Sequence, residues 1–232
     1  MLVYGKNVAK EILESEKKIN FIILQEGFSD KSIISLIEKR KLAVKYVNKK
    51  ELYKFAKNNH QGIILDVEDF TYAKLEDFIN KEDSKILILD HIEDPHNLGA
   101  IIRTSEAAGI SGIIIPKNRG VGVNATVMKT SVGAINNIPV SMVTNLNKTI
   151  NNLKKNGFWI IGTDMEGNYD YKDIDYSGKI AIIIGNEGKG MSSLVKKSCD
   201  FVVKIPMYGK INSLNASVSA GILIYEAIRN KK

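Results

Sequence analysis

Apolar positions in this chain fall into short continuous runs separated by stretches of helical spacing. Continuous Ile, Leu and Val runs recur at Ile86–Asp90, Gly112–Pro116, Val140–Val143, Trp159–Thr163, Ile180–Gly185 and Phe201–Ile205. Unbroken runs, rather than alternation, predict strands covered on both faces, as in a parallel sheet with helices on either side. Helices are predicted between them, with a last one from about Asn215 to Arg229. Residues 84–232 therefore read as an open, mainly parallel α/β domain. Residues 1–68 read as a smaller α/β unit, with helices over Gly5–Ser15, Lys31–Arg40 and Glu51–Asn58 and strands over Asn20–Leu24, Ala43–Val47 and Gly62–Val67. Residues 69–83 are acidic (Asp69, Glu76, Asp77, Glu82, Asp83) and predict a linker with a short helix.

Composition narrows the class. The 232 residues are 44% hydrophobic and 25% charged, ordinary values for a globular protein with room for both units. With one cysteine, Cys199, neither an internal disulfide nor a cysteine metal cluster can form. His60, His91 and His96 have no ligand spacing, so no metal is expected. The N-terminal residues lack the apolar core of a signal peptide, and no apolar run approaches the roughly 20 residues of a membrane helix. A cytoplasmic protein is expected. A net charge of +7 suits a polyanionic partner. Residues 1–68 carry 13 Lys and Arg against 9 Asp and Glu, and the remaining residues carry 20 against 17. The first unit is thus the more basic per residue.

Three polar segments punctuate the larger domain, each after a predicted strand. The first, Asp90 to Arg103, contains Asp94-Pro95, which suits a helix N-cap followed by proline at the first helical position. That accounts for neither Asn97 nor Arg103. Arg103 is a lone cation among Leu98, Ile101, Ile102 and Ala107, where it wants an anionic partner. The second, Gly185-Asn-Glu-Gly-Lys-Gly190, lets a backbone approach a ligand, but it matches no phosphate-binding fingerprint and its Glu187 would repel a phosphate. The third runs from Ile205 to Gly221 and sets Ser213, Asn215, Ser217 and Ser219 before a terminal apolar helix, with Ser213 a candidate N-cap. Of the remaining candidates, Cys199 reads as a core thiol, Trp159 as a buried strand residue and His96 as solvent-facing. His60 reads as a contact for the polyanionic partner or a structural turn, and Lys129 and Ser131 as a helical segment able to face that partner.

In this order, the motifs beginning at Asp90, Gly185 and Ile205 resemble those of the SpoU (TrmH-type) RNA ribose 2'-O-methyltransferases. The resemblance spans about 84–232. Residues 1–68 resemble that family's small RNA-binding domain at Val3-Tyr-Gly-Lys-Asn-Val8 and His60-Gln-Gly-Ile63, which points to the bacterial 23S rRNA guanosine 2'-O-methyltransferase type. The resemblance implies a C-terminal trefoil knot, a homodimer, an RNA substrate and S-adenosylmethionine as cofactor, with no metal, DNA or membrane partner. It implies catalytic roles for Arg103, Asn97, Glu187, Ser213 and Asn215. It also implies cofactor contacts at Gly185, Asn186, Ile205, Met207 and Leu214. The same chemistry on tRNA, and a non-catalytic RNA-binding protein on the same fold, are the alternatives. A Rossmann-type oxidoreductase is disfavoured because its glycine fingerprint is missing.

Overall fold

The computed structural model describes residues 1–15, 17–56 and 60–229. The chain divides into two compact units, Met1–Thr71 with Val123–Lys129, and Tyr72–Gly122 with Thr130–Lys232.

In the first unit, strands β1 (Leu2–Tyr4), β2 (Ile19–Gln25), β3 (Val44–Val47) and β4 (Ile63–Val67) form one sheet in the order β1-β4-β2-β3, with only β2 and β3 parallel. Side chains alternate across the sheet as a strand's period of two requires. Ile22, Leu24, Ile63 and Leu65 pack with helices α1 (Lys6–Glu14) and α2 (Lys31–Lys39), while Ile23, Val47 and Ile64 pack with Leu52 of α3 (Lys49–Phe55). Every predicted helix and strand is present. The helix predicted over Glu51–Asn58 starts two residues early because the Asn48 side chain caps it, accepting from the Glu51 N–H at 3.1 Å. Its predicted last residues lie outside the described ones. β1, three residues long, carries no periodic signal and was not predicted.

Between the sheets, α4 (Glu76–Ile79) sends Phe78 and Ile79, 1% and 3% exposed, into the core of the second unit. That unit's strands are β5 (Lys85–Asp90), β6 (Gly112–Pro116), β7 (Val140–Val143), β8 (Trp159–Thr163), β9 (Tyr169–Asp170), β10 (Ile180–Gly185) and β11 (Phe201–Lys204). Their order is β7-β6-β5-β10-β8-β11-β9, and every pairing is parallel. The six predicted strands match to within a residue, whereas the two-residue β9 was not predicted. β10 lies at the centre between β5 and β8, and Ile180–Ile184 are at most 1% exposed. Each such isoleucine contributes about 2 kcal/mol by leaving water, which is why the run is uninterrupted.

The helices of this unit are α5 (Pro95–Ala107), α7 (Leu146–Lys155), α8 (Ser193–Lys197) and α9 (Ala216–Ala227), whereas most of α6 (Ala125–Ser131) belongs to the first unit. α9 packs along α5 and over β10. Among the described residues no helix is long and apolar enough to cross a membrane. The parallel order has one consequence for function. It brings the C-terminal ends of β5, β8, β10 and β11 to a single edge, where ligands of α/β sheets sit.

Candidate active site

The first and second polar segments meet because the strands that carry them are neighbours, with Gly185 in register with Asp90. After β5, His91 turns the chain through a left-handed conformation (φ 63°). Asp94 then caps α5, accepting from the His96 N–H at 2.9 Å, with Pro95 at the first helical position, as the sequence predicts. This start places Asn97 in the first turn, 8% exposed.

After β10, the chain closes on itself. Asn186 and Gly190 exchange backbone hydrogen bonds of 3.1 and 2.8 Å, and the Asn186 side chain accepts from the N–H groups of Gly188 (2.9 Å) and Lys189 (3.1 Å). Its amide also donates to the His91 carbonyl at 2.9 Å, tying this loop to the first segment. A Cβ on Gly185 would stand 2.5 Å from both Gly190 C and Met191 N, so only glycine permits the closure.

Asn97 joins the three segments. Its Nδ2 donates to Glu187 Oε1, and its Oδ1 accepts from Asn215 Nδ2 at 3.0 Å. Asn215 in turn caps α9, its Oδ1 accepting from the Ser217 N–H at 2.9 Å and the Ser217 hydroxyl at 2.6 Å. Three residues singled out in the sequence, from three separate motifs, thus form one hydrogen-bonded chain. The cap also corrects an expectation: Asn215, not Ser213, is the N-cap of the last helix. Either residue type caps well, and the choice falls to the one that Asn97 orients.

Beside this chain lies a cavity of about 350 Å³. Gly185, Asn186, Ile205, Met207 and Leu214 all line it, as do Glu187 and Ser213. Asn97 and Asn215 stand behind that wall, holding Glu187 and α9. Arg103 is exposed on α5 and makes no hydrogen bond or ion pair among the described residues. The anionic partner expected for it is therefore not one of those side chains.

Sequence reasoning missed the end of β8, where Thr163, Asp164 and Met165 form another part of the cavity wall. Burial acts to raise the Asp164 pKa. The Lys196 ammonium at 2.8 Å and the Glu166 N–H outweigh it and hold the carboxyl below its ordinary value. The signal was the Gly162-Thr-Asp164 step at a strand end, but nothing in the sequence places β8 beside β10.

Five further expectations are corrected or settled. Trp159 is 56% exposed, because it opens β8 at the rim, where its ring packs on Phe201 at 5.8 Å. His60 is 7% exposed, with Nδ1 accepting from the Gly62 N–H at 3.0 Å, which makes it a turn residue and not an RNA contact. Ser131 is fully buried and cannot face RNA, although Lys129 is exposed. His96 is exposed as expected. Cys199 is half-buried, and burial pushes its thiol up to about 12, which leaves it an inert packing group.

Residues 84–225 match the model of the SpoU rRNA methylase family, and residues 2–73 match the substrate-binding domain of RNA 2'-O ribose methyltransferases. The chain belongs to the SpoU methylase family. A Bacillus subtilis relative, YacO, assigned to the TrmH family of tRNA/rRNA methyltransferases, is 44% identical over 99% of this chain and 95% of its own. Among solved structures, the AdoMet-bound rRNA methyltransferase of Sinorhizobium meliloti is 26% identical, with a TM-score of 0.79 over 100% of this chain and 87% of that one. The SpoU methyltransferase AviRb of Streptomyces viridochromogenes, in complex with AdoMet, shares the fold at a TM-score of 0.83 and 24% identity over 100% of this chain and 90% of that one. A SpoU methylase is an RNA methyltransferase, and the site described above is where its chemistry is sought.

Proposed function

We propose that this protein transfers a methyl group from S-adenosylmethionine to a ribose 2'-hydroxyl of RNA, at a guanosine of 23S rRNA. The observation that carries the reading is the Asn215–Asn97–Glu187 chain, which joins three motifs beside one cavity. Three features of that cavity support the cofactor. Its volume of about 350 Å³ lies at the small end of the range of ligand pockets. Its apolar side chains, Ile184, Ile205, Met207 and Leu214, suit an adenine, while the glycine loop offers backbone groups to the adenine edge. The cofactor supplies an electrophilic methyl group on a sulfonium.

When bound, the cofactor would give that methyl to the ribose oxygen as the carbon–sulfur bond breaks, the departing thioether keeping the bonding pair and the hydroxyl proton passing to water. A ribose hydroxyl is a poor nucleophile at neutral pH, so the protein must align it closely. Arginine keeps its proton to above about pH 12, which makes Arg103 a poor base and a good clamp. Its exposed guanidinium pins the phosphate next to the reacting ribose and turns the hydroxyl toward the cavity. Glu187, oriented by Asn97, fixes the loop that forms the near wall, and Ser213 reaches the hydroxyl from the opposite one.

The domain plan is a substrate-binding domain over 1–68, a linker over 69–83 and a knotted catalytic domain over 84–232. The strand order, with β10 between β5 and β8, and α9 lying back across α5, supports the knot. α9 carries an apolar run over residues 220–225, and Val218 and Tyr225, one face of the helix, are 50% and 54% exposed in the single chain, which supports a homodimer that covers them. The full-length likeness to an rRNA methyltransferase favours rRNA over tRNA. The test is to incubate the purified protein with methyl-labelled S-adenosylmethionine and either total rRNA or total tRNA. Label in the large ribosomal RNA is expected. Label confined to tRNA would replace the substrate, and label in neither would overturn the reading.

A further inference from the structure

Charge is unevenly spread within the first unit. Residues 39–54 carry seven Lys and Arg against one acidic residue, Glu51, whereas the rest of residues 1–68 carries six against eight. This strip holds +6 in a chain whose whole net charge is +7. It runs from the end of α2 through β3, the edge strand of the sheet, and along α3.

One of the seven cations is committed internally. The Arg40 guanidinium donates to the carbonyls of Ile12, Ser15 and Lys17 at 3.1, 3.0 and 2.9 Å and closes the C-terminal end of α1. The other six, Lys39, Lys41, Lys45, Lys49, Lys50 and Lys54, are exposed. Aromatic rings are interspersed with them along the chain, with Tyr46 58%, Tyr53 44% and Phe55 45% exposed; Tyr53 and Phe55 sit on α3, whereas Tyr46 points to the other face of the sheet. Leu52 anchors α3 to the sheet, so Lys50, Tyr53 and Lys54, spaced i, i+3 and i+4, share its outer face. The Tyr53 ring is held edge-on to His60 at 5.2 Å, which fixes its orientation.

Six exposed ammonium groups, with only Glu51 inside the strip and Glu38 at its edge, raise a positive potential that calls for a polyanion. Rings alternating with cations suit a flexible single strand, whose bases stack while its phosphates meet the lysines. An anionic lipid surface would ask for a contiguous apolar face, and here lysines separate the rings. We propose that the β3–α3 edge grips single-stranded RNA flanking the methylated nucleotide, with Tyr53 as a stacking platform between Lys50 and Lys54. The proposal rests on the reading of the chain as an RNA methyltransferase and names the surface by which its first unit holds substrate.

The test uses the full chain, with a fluorescein-labelled single-stranded uridylate oligonucleotide and an RNA duplex of equal length as probes. Two double variants remove equal charge from the same unit: Lys50→Ala with Lys54→Ala, and Lys10→Ala with Lys31→Ala. The first is expected to weaken single-strand binding about tenfold and to lower the slope of log K against log salt by about 1.4. The second should change binding less than about twofold. Tyr53→Leu should weaken binding about fivefold at an unchanged salt slope, with Tyr53→Phe restoring it. Matching thermal melts keep the comparison among folded chains. Equal losses in both double variants, or tighter binding of the duplex, would overturn the proposal. A wild-type protein that binds S-adenosylmethionine but neither probe would instead sink the underlying reading.

Discussion

Two loops face each other across the cavity, and they are built on opposite principles. The loop from Asn186 to Gly190 is closed by its own backbone, tied by Asn186 to His91 and by Glu187 to Asn97. The loop from Ile205 to Leu214 has no regular structure, and it exposes Tyr208 at 96% and Ile211 at 66%. The first is held by its own hydrogen bonds. The second gains its hold only at Asn215, where the last helix begins. A preorganised wall saves the cost of ordering at the moment of reaction, and an open one admits substrate. The contrast predicts that changes in the closed loop and its supports weaken binding and turnover together, while changes in the open loop act on one step.

The largest effect is expected at Asn97, because its side chain serves both loops. Asn97→Ala should lower kcat by about 100-fold or more, in the range of lost transition-state positioning, with a thermal midpoint reduced by only a few degrees. Single-turnover assays beside thermal melts measure both. Near-normal methylation would remove Asn97 from the site. Arg103→Ala should cost a similar factor in kcat with no loss of stability, since the side chain is exposed. Arg103→Lys, with one point charge in place of a bidentate fork, should recover little of it. Substantial activity in the lysine variant across pH would show that the guanidinium is not needed.

Next in size is Gly185→Ala, whose added methyl meets backbone rather than a flexible side chain. Loop closure then fails, and S-adenosylmethionine affinity by calorimetry should fall at least about tenfold, a loss of about 1.4 kcal/mol. An unchanged affinity would mean that the closed loop is not part of the cofactor wall. Ser213→Ala separates the two loops most sharply. Asn215 performs the capping, so the serine variant should melt like the wild type while methyl transfer slows. Asn215→Ala should lose about 1 kcal/mol of stability as well as rate.

The smallest effect concerns the Asp164–Lys196 pair. The lowered Asp164 pKa contributes stability that is present above the ordinary carboxylate value and lost as pH falls through the folded value. The raised Lys196 pKa contributes stability that is present below the ordinary ammonium value and lost as pH rises through the folded one. Between those limits the contribution is constant, so Lys196→Met should leave the shape of the stability profile from pH 6 to 9 unchanged. A sloping difference in that window would place another titrating group in the pair.

Much of this was legible in the sequence, and what was not follows a rule. Strands such as Ile180–Gly185 announce themselves because a strand buried on both faces tolerates no polar interruption. β1 and β9 are too short to show a period. Asp164 and the chain through Asn97 depend on β10 lying between β5 and β8, an arrangement that joins Asn97 to Glu187 across 90 residues and that no local pattern encodes. Trp159 misled for a similar reason, since burial at the start of a strand depends on what covers the rim. Ser213 and Asn215 are both good caps by residue type, and only the position of Asn97 decides between them.

The central claim is methyl transfer to a ribose oxygen, and the most direct measurement is the position of the label. RNA methylated by the wild-type protein should be digested to nucleosides and, separately, treated with alkali. The account predicts label in 2'-O-methylguanosine and in an alkali-resistant dinucleotide, because a methylated 2'-oxygen cannot cleave its neighbouring phosphodiester. Label in a methylated base, released by alkali as a mononucleotide, would contradict it.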